Sequence, residues 1–448
     1  MFSELLAKRA AENNPIRVGI IGAGKFGGGL ITQIMSMQGI EVCAVADINL
    51  DYVKQAYITN RIPPESIQVA YTIQGMNQII QNGKHAITEE GLLVARTDLL
   101  DVVVEATGIP EVGARLAYET ITHHKHLIMV NVEADVTVGP FLRRLADNAG
   151  VVYSLVDGDQ PGVTMNIVEW ARTLGLEIIA AGRGTVFYGG DRAGTPDTVP
   201  ERFGFDEEML KRRTINLKMF NSFRDGSKAQ IEMCALANMT GLLPDVRGMH
   251  KPSVDIADIP QVFSLAEEGG ILQQHGVVEL ANSIGPDGRT MLEDPLRMGV
   301  FVVIRTDHPF IQEDLHSYHL HSSNGQNYLL YRPYHLVAVE APISIVKAVL
   351  YGKATGSPLP KPVTEVITVA KRNLKCGELL DGSGGYTVNG LIEKVEITRQ
   401  GGLLPLGLAY DAKLKQDVSQ GTAITYDMVT LNQDSFVLKL RRLQDAVV

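Results

Sequence analysis

Residues 16–31 read IRVGIIGAGKFGGGLI. Arg17 to Ile21 is a short, apolar, β-prone run of the kind that forms a central parallel strand, buried on both faces. It leads into Gly22, Gly24 and Gly27, spaced G-x-G-x-x-G. The first glycine permits a tight turn, the second lets backbone approach a pyrophosphate, and the third lets the next helix pack against the strand. That helix, expected from Phe26 to Met37, would point free N–H groups at the phosphates. A second run, Glu41 to Ala46, ends in Asp47, twenty residues after Gly27. A carboxylate there reaches an adenine ribose. Strand, glycines, helix and acid together read as a dinucleotide-binding domain, with Lys25 and Phe26 inside its turn. Asp47 would repel a 2′-phosphate and so favours NAD, while Lys25 and Arg61 are nearby cations that offset it. The choice between NAD and NADP stays open at this point.

Three more strands are expected: Asp101–Glu105, His126–Asn131 and Gly150–Val156. The first is followed by Ala106-Thr107-Gly108, the second by Val132-Glu133-Ala134-Asp135, and the third by Asp157-Gly158-Asp159. In an open α/β sheet the chemistry gathers at the carboxyl ends of the strands. Thr107, Glu133, Asp157 and Asp159 all fall there. Three carboxylates in so small a set point to proton exchange or cation binding.

A helical stretch, Met165–Leu174, leads out of this domain. The region that follows mixes strands (Ile178–Phe187, Val300–Arg305) with a helix over Lys228–Met239, and reads as an α+β substrate domain. Lys228 and Glu232 are i and i+4 and share one helical face. The helix continues Met233-Cys234-Ala235-Leu236-Ala237-Asn238, too apolar for an open surface, so the pair is expected in a site. Arg183 and Arg192 lie in glycine-rich turns after a strand and, with Ser222, are candidates for holding a phosphate. Lys211, Arg212 and Arg213 read as a solvated helix face. His319 and His321 have strand spacing and would point the same way.

Composition narrows the function classes. At 448 residues, two or three domains are expected. A net charge of −10 argues against binding along a nucleic-acid backbone. The three cysteines, Cys43, Cys234 and Cys376, have neither zinc-ligand nor disulfide-framework spacing. No apolar run is long enough for a membrane span, and the N-terminus lacks a signal-peptide pattern. A cytoplasmic protein is expected.

The E-A-T-G after the third strand resembles the loop beside the nicotinamide in homoserine and glyceraldehyde-phosphate dehydrogenases. N-V-E-A-D occupies the place of the "ANK" turn of homoserine dehydrogenases, without its lysine. Beyond a Gly- and Pro-rich linker (Gly352–Pro362), residues 364–445 resemble a SAF domain, the β-clip module of antifreeze proteins and sialic acid synthases. The matching features are A-K-R-x-L-x-x-G-E, L-P-L-G-L and D-V-x-x-G-x-x-I-T. The combination resembles the DXR-like (type II) 1-deoxy-D-xylulose 5-phosphate reductoisomerases. That resemblance implies a Rossmann-type parallel-sheet domain over 1–165, completed by 331–355. It further implies a central substrate domain over 166–330 and a SAF-like domain over 360–448.

It also implies a homo-oligomer, expected as a homodimer, that converts deoxyxylulose phosphate to 2-C-methyl-D-erythritol 4-phosphate with NADPH, for isoprenoid precursor synthesis. On this reading Gly22, Gly24, Lys25, Phe26, Gly27, Asp47, Ala106, Thr107 and Gly108 hold the dinucleotide. Lys228, Glu232, Glu133 and Asp157 are the catalytic candidates. A divalent cation such as Mg or Mn would sit on Asp157, Asp159 and Glu232, and Arg183, Arg192 and Ser222 would hold the substrate phosphate. Asp47 sits awkwardly with NADPH and leaves NADH as the other cofactor. Two alternatives stand beside this reading: a homoserine-dehydrogenase-like oxidoreductase acting on another small polyol, sugar acid or hydroxy amino acid, and a non-catalytic dinucleotide sensor.

Overall fold

The apolar run opening on Ile16 has Val18 and Ile20 with no solvent exposure, and such a strand is stable only with a neighbour on each side. The computed structural model describes residues 1–212, 215–322 and 325–447, the side chains of 210–212 excepted. In it, seven parallel strands form one sheet in the order β3-β4-β2-β1-β5-β6-β7. They are β1 (Ile16–Ile21), β2 (Ile40–Ala46), β3 (Ile67–Val69), β4 (His85–Thr88), β5 (Val102–Glu105), β6 (His126–Met129) and β7 (Tyr153–Leu155). β1 lies at the centre, with Ile21 opposite Ala46 on one side and Glu105 on the other. The chain order reverses between β1 and β5, which is where a doubly wound sheet opens a crevice at its carboxyl edge.

The chain divides into two compact units. The first comprises 1–162, 336–360 and 435–448 and holds the seven-stranded sheet. Ala341, Ile345 and Val346 of the helix Ala341–Tyr351 share one core with Val18, Ile20 and Leu30. The terminal helix Phe436–Val447 starts on Glu111, whose carboxylate accepts the Phe436 N–H and the Ser435 hydroxyl, each at 2.7 Å.

The second unit comprises 163–335 and 361–434. Its main sheet is mixed, with order β12-β11-β8-β10-β9. The strands are β8 (Glu177–Thr185), β9 (Leu243–Pro244), β10 (Val277–Asn282), β11 (Val300–Arg305) and β12 (Asn327–Arg332). β8, β10 and β9 run parallel, while β11 is antiparallel to β8 and β12. Phe263 stacks on Phe301 in its core, ring centroids 5.1 Å apart. An antiparallel pair, β13 (Thr364–Ala370) and β14 (Val388–Lys394), is locked to the helix Ser227–Thr240. Asn238 accepts the N–H groups of Val363 and Thr364, Ser227 Oγ accepts that of Gly390, and Gln230 accepts that of Ile392. Short strands also pair Lys413–Leu414 with Val429–Thr430.

The expected strand through His319 and His321 does not form. The helix Pro309–Ser317 contains His316, and His319 follows it in a left-handed conformation, φ 59°. Among the described residues no helix is long and apolar enough to cross a membrane.

Candidate dinucleotide and substrate sites

The three glycines of the β1 turn are required for different reasons. Gly22 has φ +98°, and a Cβ there would lie 2.7 Å from the Ala106 carbonyl oxygen. A Cβ on Gly27 would lie 2.0 Å from the Gly22 carbonyl oxygen, so the helix Lys25–Met35 could not close on the turn. Gly24 is exposed, and its Cβ would meet nothing within 4 Å. The fold itself therefore does not demand glycine at 24, and the open space leaves room for a ligand to approach the backbone. Gly24 is also the N-cap of that helix, with no side-chain cap and no acidic residue in the first turn. Its open N–H groups suit an anion. The residues present thus fit a bound dinucleotide.

Asp47 stands at the end of β2, beside this turn. Its Oδ2 accepts the Ala23 N–H at 2.7 Å and its Oδ1 accepts the Asn49 N–H at 2.8 Å. Lys25 and Arg61 are exposed, and Phe26 packs partly into the core.

At the end of β5, Glu105 is wholly buried. Its Oε1 accepts both the backbone N–H and the hydroxyl of Thr107. Asn131 donates to Thr107 Oγ1 at 3.4 Å and to the Ile109 carbonyl at 3.1 Å. Its own Oδ1 caps the helix Val132–Ala149 by accepting the Ala134 N–H. Glu105 and Asn131 thus shape the Ala106-Thr107-Gly108 loop from below. Burial pushes the Glu105 carboxyl up to about 7, against the lowering effect of the Thr107 hydrogen bonds. Asp135 is pushed up to about 7 by burial as well, although the Tyr153 hydroxyl donates to it at 2.7 Å. Glu133 is half-buried in the first turn of the same helix.

Of the three expected cation ligands, Asp157 and Asp159 belong to the first unit and Glu232 to the second. Asp157 is buried, and its Oδ2 accepts from Lys347 Nζ at 3.0 Å and from the Thr355 hydroxyl at 2.8 Å. Asp159 caps the Gln160 N–H at 3.0 Å. Glu232 is paired with Arg183. Among the described residues no group of three or more His, Cys, Asp and Glu is placed to hold a metal ion. Each of these carboxylates thus already has a partner within its own unit.

In the second unit, the helix Ser227–Thr240 is buried at every position except Lys228. The apolar continuation of that helix already excluded a solvent-facing face. Glu232 is also paired with Arg183 of β8, a partner the spacing did not suggest, and both of these side chains are nearly inaccessible. Arg183 also donates to the Gly184 carbonyl at 3.0 Å. The guanidinium expected to hold a phosphate is thus spent inside the unit. Ser222 is buried and donates to the Met219 carbonyl at 2.7 Å. Of the three phosphate candidates, only Arg192 keeps a partly exposed side chain. Of the basic run, Arg213 and the side chains of Lys211 and Arg212 lie outside the described residues.

Several polar pairings here carried no sequence signal. Lys371 and Asp225 form a buried ion pair at 2.8 Å, and Lys371 also donates to the carbonyls of Gly194 and Gly385. Burial holds the Asp225 carboxyl above its ordinary range despite that partner. Glu279 accepts from His250 Nδ1 at 2.7 Å, and that bond raises the imidazole's affinity for its proton. Both pairs join residues too far apart in the chain for spacing to reveal them.

Residues 22–155 match the family described as "Homoserine dehydrogenase, NAD binding domain", and residues 158–341 match "Oxidoreductase DRL, catalytic domain". No curated protein matches the chain. Among solved structures, a chain described as a probable dehydrogenase from Thermotoga maritima is 10% identical with TM-score 0.40, covering 76% of this chain and 90% of that one. The myo-inositol dehydrogenase of Lactobacillus casei, solved with NAD(H) and myo-inositol, is 12% identical with TM-score 0.29, covering 41% and 50%. A DOX-P reductoisomerase solved with magnesium is 12% identical with TM-score 0.32, covering 49% and 57%. The chain carries NAD(P)-binding oxidoreductase domains and is an NAD(P)-dependent oxidoreductase.

Proposed function

We propose that this chain is a dehydrogenase of homoserine-dehydrogenase-like type, acting on a small polyol, sugar acid or hydroxy amino acid without changing its carbon skeleton. The observation that carries the reading is the β1 turn. Gly24 is free of any contact that would forbid a side chain, yet stands at an uncapped helix N-terminus beside Asp47. When bound, the dinucleotide supplies or takes up the hydride. The chain's own groups then have separable roles. The turn and the helix Lys25–Met35 bind the pyrophosphate, and Asp47 binds the ribose hydroxyls, favouring NAD(H). Glu105 and Asn131 fix the loop Ala106-Thr107-Gly108. Lys228, the one half-exposed residue of its helix, balances negative charge developing on the substrate oxygen. The buried Arg183–Glu232 pair anchors that helix to β8. We also infer that β13 and β14, with their β-clip-like sequence, serve as its brace.

Plain hydride transfer is preferred over reductive rearrangement because the matched domains are described as those of an oxidoreductase and a dehydrogenase, for which hydride transfer alone suffices. The test is turnover of the full chain with NAD(H) and NADP(H) on a panel that includes homoserine, polyols, sugar acids and deoxyxylulose phosphate, with products identified by NMR. An oxidised or reduced product of unchanged skeleton supports the proposal. A rearranged skeleton would restore the reductoisomerase, and cofactor binding without turnover of any compound would leave a sensor.

A further inference from the structure

The second unit holds a cluster that none of these roles uses, where the parallel strands β8 and β10 end. Asn282, the last residue of β10, accepts the Phe187 N–H at 3.0 Å and donates to the Phe187 carbonyl at 3.1 Å. This fixes a phenyl ring two residues beyond β8. Lys251 lies over that ring, with Nζ 3.2 Å from its centroid. A cation over an aromatic face is attracted by the ring, but the ring does not neutralise its charge.

The backbone that delivers Lys251 is strained. Met249 and Lys251 are both left-handed, with φ 65° and 55°. Such positions are strained and persist where the surroundings dictate them. Here Glu279 does so: its buried carboxylate accepts the His250 N–H at 3.1 Å as well as the imidazole N–H. Asp245 lies on the other side of that ring, 3.6 Å from Nε2.

Arg192, in the turn Asp191–Ala193, lies within electrostatic reach of Lys251. Burial and the Arg192 charge push the Lys251 ammonium down to about 8. Two carboxylates stand close, and both are already engaged. Asp191 is paired with Arg202 at 3.3 Å and Arg224 at 3.0 Å, and Asp225 with Lys371. Among the described residues, the two carboxylates that act on these half-buried cations are thus shared with three further cations, in a protein whose net charge is −10. A local excess of cations of this kind attracts an anion. The carboxyl edge of parallel strands is also where ligands of open α/β sheets bind.

We propose that Lys251 and Arg192 form a binding site for an anionic oxygen group of a small ligand, a carboxylate or a phosphate monoester, with Phe187 as its apolar floor. The proposal rests on the oxidoreductase reading and narrows it: the substrate is an acid or a phosphate ester, not a neutral polyol. Arg192 supplies the flat, forked donor set, and Lys251 supplies a point charge.

The test uses the full chain and ligand-detected NMR with D-glycerate, glycerol 3-phosphate, inorganic phosphate and, as neutral control, glycerol. NADH binding is measured on the same preparations. At least one anion should bind and glycerol should not, with glycerate against glycerol 3-phosphate deciding between carboxylate and phosphate. Lys251→Met and Arg192→Gln should each weaken that anion about tenfold or more, Lys251→Arg should retain it, and NADH affinity should be unchanged in all three. Anion binding unchanged in both charge-removing variants overturns the proposal. So does a wild-type chain that binds NADH but no anion better than glycerol. A wild-type chain that binds no dinucleotide at all would instead strike the oxidoreductase reading.

Discussion

Glu105 gives a quantitative test of how the loop beside the proposed nicotinamide site is held. Its carboxyl has no solvent exposure, and Oε2 has no hydrogen-bond partner, whereas Oε1 accepts twice from Thr107. The proton affinity of the folded state is raised, from an ordinary value of 4.5 to about 7. Between these values the folded chain holds a proton that the unfolded chain has released. Stability contributed by this group is therefore full below the unfolded value, falls as pH rises, and is fully lost above the folded value. At 1.36 kcal/mol per unit, the loss is about 3 kcal/mol. Glu105→Gln copies the protonated form: its carbonyl still accepts from Thr107, and its amide takes the place of the protonated oxygen. The variant should equal the wild type at about pH 4.5 and exceed it by up to about 3 kcal/mol at about pH 8. Denaturant unfolding across this range measures the difference, following the transition that NADH shifts upward, since a ligand stabilises the unit that binds it. Asp135, also pushed up to about 7, is present in both proteins and acts as an internal reference. A difference that does not change with pH, or a variant less stable than wild type at the alkaline end, would refute the buried-acid reasoning.

The glycine turn predicts opposite outcomes three residues apart. Gly24→Val should fold normally, because its side chain enters open space, yet lose dinucleotide affinity at least about tenfold by titration. Gly27→Ala should cost about 2–3 kcal/mol of stability in denaturant, because its Cβ meets a carbonyl oxygen. Asp47→Ser should raise kcat/KM for NADPH relative to NADH by about tenfold or more, and an unchanged ratio would place the carboxylate away from the ribose. Lys228→Met should lower kcat about a hundredfold while NADH still binds; near-normal turnover would remove its proposed role.

Reading along the chain captured what local pattern controls. The run before Gly22, the glycine spacing and Asp47 belong to one continuous stretch of chain. Each answers a local demand for an extended buried strand, a turn and a close helix approach, and β1, β2 and the helix after Gly24 follow from them. The buried helix around Lys228 and Glu232 was legible too, because its apolar residues run all the way round. Two short strands, β3 and β4, left little trace, since three or four residues are too few to show a period. What spacing could not supply was pairing. Glu232 shares a helical face with Lys228 in the sequence, but nothing in the spacing showed that folding also brings Arg183 of β8 against it. Asp157 and Asp159 sit at a strand end like catalytic acids, yet Lys347, Thr355 and the Gln160 N–H satisfy them. Glu105 carried no mark of its burial, Lys371 none of its bond to Asp225, and Lys251 none of its place over Phe187 beside Arg192. The energy of a charge depends on what lies within a few ångströms in space. The sequence therefore determined the dinucleotide turn and the elements around it, and only the tertiary structure decided which charges are spent on the fold and which are left for a ligand.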